Sequence, residues 1–147
     1  MRRAMLWFPP LAIMLVIFSL SSQSRPLPML TEHVWDKLLH FTEYAALGAA
    51  WYRALRGEGM SAGAALVAAA MATAAYGVSD EWHQSFVPNR DATIYDVITD
   101  VCGAASTLAC IDAIGRASGA GRTLAVRFGT GLLVCLAAAT LATFEPW

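Results

Sequence analysis

The chain has 147 residues, of which 57% are hydrophobic and only 14% charged, with a formal net charge of -1. That is one domain's length, and soluble domains carry about one-quarter charged residues, so an ordinary water-soluble fold is excluded by the shortage of polar surface. The near-neutral balance, with no basic stretch interleaved with aromatics, also excludes nucleic acid as a partner.

The apolar residues come in blocks. Ala4 to Leu20 is almost free of polar groups. With Arg2-Arg3 before it and Ser19-Leu20-Ser21 at its end, the block imitates a secretory signal. It is long for a signal core, and the later blocks need a bilayer as well, so it reads as a retained first helix. Pro9 and Pro10 suit a first helical turn better than an interior, which predicts a regular helix from near Pro10 with a kink before it. Leu38 to Leu55 follows, broken by His40 and Glu43, then the uncharged Ala62 to Val78. Ile94 to Ile114 carries Asp96, Asp100 and Asp112, and Leu124 to Phe144 carries only Arg127. A helix needs about 20 mainly apolar residues to span a bilayer. The expected fold is therefore all-α, a polytopic membrane helix bundle of about five transmembrane helices, forming a single domain over 1–147.

Between the blocks, Gly57-Glu58-Gly59 predicts a tight turn, Arg25-Pro26-Leu27-Pro28 a stiff extended loop, and the glycine-rich 115–121 stretch a flexible one. In the third block, Ala64, Ala68 and Ala72 with Ala65 and Ala69 form a small-residue stripe fit for close helix contact. Cys102, Cys110 and Cys135 lie inside apolar blocks with no paired spacing, and read as inert thiols. Threading five spans gathers Arg2, Arg3, Arg53, Arg56, Arg116, Arg122 and Arg127 on one side, which the positive-inside rule makes the cytoplasm. The expected location is the cytoplasmic (inner) membrane, with the N-terminus inside.

Polar residues then stand out where grease should be. In the second block Asp36, Lys37, His40, Glu43 and Tyr44 fall on helical spacing. At 1.5 Å per residue, Glu43 lies about 10 Å deeper than Asp36, so it should face inward and find a partner. In the fourth block Asp96, Asp100 and Gly103 share a face at i, i+4, i+7. Their two carboxylates repel unless a cation or proton lies between them. The stretch Ser79 to Asp91, SDEWHQSFVPNRD, closes the third helix, with Pro88 stopping its continuation, and hangs over the mouths of the second and fourth. Asp36, Lys37, His40, Tyr44, Asp80, Glu81, Gln84, Arg90, Asp96 and Asp100 are thus expected at one mouth of the bundle, the outer one. Arg90 and Lys37 are candidates for gripping an anionic group. His40, Asp80 and Glu81 are candidates for proton transfer. No metal is expected: Glu81-Trp82-His83 with His40 lacks any ligand spacing of known type. No cofactor is expected either.

These residues carry a resemblance. Ser21-Ser22-Gln23 after the first helix, Asp36-Lys37-x-x-His40-Phe41-x-x-Tyr44-x-x-Leu47-Gly48, and Asp80-Glu81-x-x-Gln84-x-Phe86-x-Pro88-x-Arg90 with Asp96, Asp100 and Gly103 resemble the VanZ-like family, over about residues 6–111. The extra block, about 123–144, lies beyond it. Asn89 stands where that family usually has glycine, and Asp100 where it usually has asparagine. The resemblance implies a small polytopic membrane protein of the cell envelope and a link to low-level teicoplanin (antibiotic) resistance. It assigns no reaction.

Three functions are compatible with this pattern. The first is a site at the outer leaflet for a lipid-linked cell-wall precursor or a lipoglycopeptide. The second is a non-catalytic accessory protein whose cluster is an ion-pair lock. The third is a small ion-coupled transporter using Glu43 and Asp100. Membrane lipids are the expected partners, and neither catalysis nor oligomeric state is fixed by the residues alone.

Overall fold

The structure, a computed structural model, describes residues 2–24, 33–90 and 92–115 and the single positions 126, 129, 130 and 133. Apart from those single positions the fifth apolar block, and with it the 25–32 and 116–121 loops, Asp91 and Cys135, lies outside the described residues. Among the described residues there are four helices and no strand: α1 (Arg2–Ser21), α2 (His33–Gly57), α3 (Ala62–Gln84) and α4 (Ile94–Gly115). Three of them are long and apolar enough to cross a bilayer, over Arg3–Ser21, Ala62–Gln84 and Ile94–Asp112. Of the four expected spans that fall within the described residues, the second is not among them. Helix α2 has the length, but Asp36, Lys37, Glu43, Arg53 and Arg56 are spread along it.

The helix ends follow local chemistry. Helix α1 runs through Pro9 and Pro10 rather than starting there. Proline has no N–H to give to the carbonyl four residues back, so the Met5 carbonyl loses its partner at Pro9. The Arg53 guanidinium of α2 donates to it instead, at 3.4 Å. Helix α2 ends at Gly57, and Gly59 takes a left-handed φ of 95° that favours glycine. Ser61 then caps α3, its hydroxyl accepting from the Ala64 N–H at 3.3 Å. At the far end α3 continues through Asp80, Glu81, Trp82 and His83 to Gln84. The first half of the SDEWHQSFVPNRD stretch is therefore helix, and only its second half turns over the bundle. Asp96 caps the start of α4: its Oδ2 accepts from both the Thr93 hydroxyl and the Thr93 N–H, at 2.8 and 3.3 Å.

The helices alternate in direction. Arg3 and Trp7 near the start of α1 reach Glu58 just past α2, at 3.3 and 3.1 Å. At the opposite end Ser21 of α1 meets Asp80 of α3, and Lys37 of α2 meets Asp96 of α4. Helix α2 is central and packs most extensively on α4, while α1 lies on α2 and only lightly on α3. Its parallel contact with α4 is close because Gly103 leaves room: a Cβ there would run into the Phe41 carbonyl oxygen, and one on Gly48 would stand 3.4 Å from the Ala104 Cα. On α3 the packed stripe is Ala65, Ala69, Thr73, Gly77 and Glu81; of the expected small-residue stripe, Ala65 and Ala69 are buried, Ala68 and Ala72 half-buried and Ala64 exposed. Facing Glu81 inward sets this register, since stepping back by fours from it reaches Ala65.

The polarity is inside out. Met5, Phe8, Leu11, Leu15, Met71 and Trp82 are exposed, whereas Lys37, His40, Asp80, Glu81, Gln84, Asp96 and Asp100 are buried. In water such a surface would be costly. In lipid the apolar exterior is solvated, and charged groups are driven to the bundle interior. The protein is a membrane-helix bundle.

Candidate functional site

The site begins as a ladder between α2 and α4. Lys37 and His40 lie one turn apart on α2, and Asp96 and Asp100 one turn apart on α4, so parallel helices in register pair them rung by rung. Lys37 Nζ forms an ion pair with Asp96 Oδ1, the two side chains being 6% and 2% exposed. With Oδ2 held by Thr93, both Asp96 oxygens are engaged. On the next rung His40 Nδ1 is 2.9 Å from Asp100 Oδ1. The Tyr44 ring lies parallel to the imidazole, centroids 6.4 Å apart. Gly77 of α3 makes the space for this layer: a Cβ on it would fall 2.9 Å from Asp100 Oδ2 and 3.2 Å from the Tyr44 ring.

Helix α3 supplies the third wall. Asp80, Glu81 and Gln84 fall on one face, and the Gln84 amide ties them together. Its Nε2 donates to Asp80 Oδ2 at 3.1 Å and to Glu81 Oε1 at 3.2 Å, while its Oε1 accepts from Arg90 Nη2 at 2.8 Å. Glu81 Oε1 lies 4.0 Å from His40 Nδ1. Asp80 Oδ1 accepts from the Ser21 hydroxyl at 2.6 Å, which joins α1 to the cluster. Arg90 is returned to the bundle by a turn from Val87, whose carbonyl accepts from the Arg90 N–H at 3.2 Å. Within that turn Asn89 has φ 60°. Glycine and asparagine tolerate this left-handed backbone best, so asparagine suits position 89.

A cavity of about 10 Å³, the scale of one water molecule, is lined by Ser21, His40, Glu43, Asp80, Gln84 and Arg90 over an apolar floor that includes Ile17 and Leu20. Glu43 thus faces the interior. Of the ten expected site residues, nine have described side chains, and these nine come together at one end of the bundle. Asp36 lies in the first turn of α2, its side chain outside the described residues. His83 turns away, its ring 4.8 Å from Phe18 and its Nε2 3.1 Å from the Ser22 hydroxyl. The residues that spacing rules did not single out are Ser21 and Gly77. Ser21 stood in a quotable motif, but nothing local showed that it would meet Asp80, 59 residues away.

The electrostatics are lopsided. Four buried carboxylates, Asp80, Glu81, Asp96 and Asp100, face the buried Lys37, the half-buried Arg90 and one imidazole. A nitrogen of His40 and one carboxylate oxygen each from Glu81 and Asp100 lie within 4.8 Å of one another. These are the described groups able to hold a metal ion together.

A family model described as VanZ/LLP1 matches residues 3–115. Comparisons with curated proteins and with solved structures give no significant match.

Proposed function

The chain belongs to the VanZ/LLP1 family, and from that premise we propose that it binds the anionic head of an amphipathic envelope molecule, a lipid-linked wall precursor or a lipoglycopeptide, at the outer leaflet of the cytoplasmic membrane. Binding of this kind would contribute to teicoplanin resistance. The observation that carries the proposal is the half-buried Arg90 beside the water-sized polar cavity. Arg90 holds Gln84 through Nη2, while its buried Nε has no hydrogen-bond partner among the described residues, and a guanidinium offers paired donors to a phosphate or carboxylate. Lys37, engaged with Asp96, is less suited to that contact, so the anion falls to Arg90. His40, whose Nδ1 is on Asp100, is oriented for polar contact or proton exchange with the bound head. The outer side is assigned because Arg3, Arg53 and Arg56 lie at the opposite end, where cytoplasmic cations collect.

The test is an Arg90→Ala variant expressed at wild-type membrane levels. Greater teicoplanin susceptibility, or altered pools of lipid-linked precursor, is expected. No change in either would overturn the proposal. A second function, an ion-pair lock between helices, is favoured by the Lys37–Asp96 pair, since that pair and the Thr93 cap already satisfy both Asp96 oxygens. On that account a charge-preserving Arg90→Lys change would leave susceptibility at the wild-type level.

A further inference from the structure

We propose that His40, Glu81 and Asp100 form a binding site for a first-row divalent cation such as Mn²⁺ or Zn²⁺. The trio brings one ligand from each of three helices, α2, α3 and α4, and all three side chains are buried. The donor set of one imidazole and two carboxylates suits these ions, since imidazole favours zinc and carboxylate oxygen favours manganese.

Three features besides the clustering point to a cation. Glu81 Oε2 and Asp100 Oδ2, both in the trio, are buried with no hydrogen-bond partner among the described residues, and the neighbouring Tyr44 hydroxyl is in the same condition. A buried carboxylate oxygen without a donor is costly, and a coordinated cation removes that cost. Secondly, among the described residues the four buried carboxylates outnumber Lys37 and Arg90, and a divalent ion offsets the surplus. Thirdly, the geometry is within reach. Donor atoms around a metal at about 2.1 Å stand roughly 3.0–3.5 Å from one another. His40 Nδ1 and Asp100 Oδ1 are 2.9 Å apart, and His40 Nδ1 and Glu81 Oε1 are 4.0 Å apart. Closing the site therefore requires Glu81 to swing inward, and its Oε2 has no hydrogen-bond partner among the described residues to hold it back. Three protein ligands leave open positions, as in sites that admit water or a ligand oxygen. The site lies beside the cavity, since His40 belongs to both. The proposal stands on these residues and does not rest on the ligand-binding function above.

Mn²⁺ alone is the probe. The full chain is purified in detergent, stripped with chelator and titrated with Mn²⁺, followed by the loss of the free-ion electron paramagnetic resonance signal. Saturable binding of a single ion per chain is expected. Glu81→Gln and Asp100→Asn should each weaken it by at least about tenfold, while Glu58→Gln, at the far end of the bundle, should leave it unchanged. Failure of the wild-type chain to bind, or undiminished binding in both site variants, would overturn the proposal. Should either variant misfold, the wild-type complex still decides: spin-echo modulation from an imidazole nitrogen coupled to the bound Mn²⁺ is expected, and its absence would refute the site.

Discussion

Removing either member of the Lys37–Asp96 pair should cost far more stability than removing both. Lys37 and Asp96 side chains are 6% and 2% exposed, so neither charge is rescued by water when its partner goes. Lys37→Met leaves the Asp96 carboxylate buried with Thr93 as its remaining described hydrogen-bond partner. Asp96→Asn leaves the Lys37 ammonium against a neutral amide. Breaking a buried ion pair from one side costs about 3–5 kcal/mol. The double variant Lys37→Met/Asp96→Asn removes the stranded charge and retains a side-chain oxygen to accept from Thr93, so it should recover a large part of that loss. The coupling energy of the cycle is expected to be at least about 2 kcal/mol, toward the upper end for contacting residues. The assay is unfolding in mixed detergent micelles, followed by far-ultraviolet circular dichroism, on all four proteins under one buffer. Single variants within about 1 kcal/mol of wild type, the range of exposed pairs, or strictly additive losses would refute the premise that this rung is a dry ion pair joining α2 to α4.

Other expectations follow from contacts of the same kind. Gly103→Ala places a Cβ against the Phe41 carbonyl, and overpacking should cost about 1–3 kcal/mol by the same unfolding assay; a neutral outcome would deny the close α2–α4 approach. At Asn89, with φ 60°, Asn89→Gly should be stable while Asn89→Val loses about 1–2 kcal/mol. Equal stability of those two variants would show that the turn carrying Arg90 is not left-handed at that position.

Much of the architecture was legible because a membrane imposes a simple demand on sequence. Long apolar blocks had to be helices, since a backbone in lipid must satisfy itself, and the helix-spaced polar residues inside them had to face inward. That reasoning turned Glu43 inward from its depth and put Asp96 and Asp100 on one face from their spacing, while it brought Asp80 and Glu81 to the mouth only as part of the stretch that closes the third helix. It failed where the deciding partner was remote. Pro9 and Pro10 looked like a helix start, but Arg53 of α2 supports the carbonyl that Pro9 leaves open. Of the alanine stripe, Ala65 and Ala69 pack while Ala64 is exposed, because α3's register follows the inward-facing Glu81 and not the places where alanines are most numerous. The stretch through Gln84 looked like a lid, because Pro88 marks the end of helix without showing how far the helix runs before it.

Composition and spacing by themselves determined that this chain is a helical membrane protein with an improbable set of charges inside its apolar blocks. Only the tertiary structure decided the pairings: Lys37 with Asp96, His40 between Glu81 and Asp100, Ser21 with Asp80, and Gln84 as the link to Arg90. Periodicity tells which face of a helix a residue is on. The identity of the facing residue depends on helix order, direction and axial offset, which the close contacts at Gly77 and Gly103 fix here; Gly103 shares the Asp96 and Asp100 face at helical spacing, whereas nothing local marks Gly77 as a contact point.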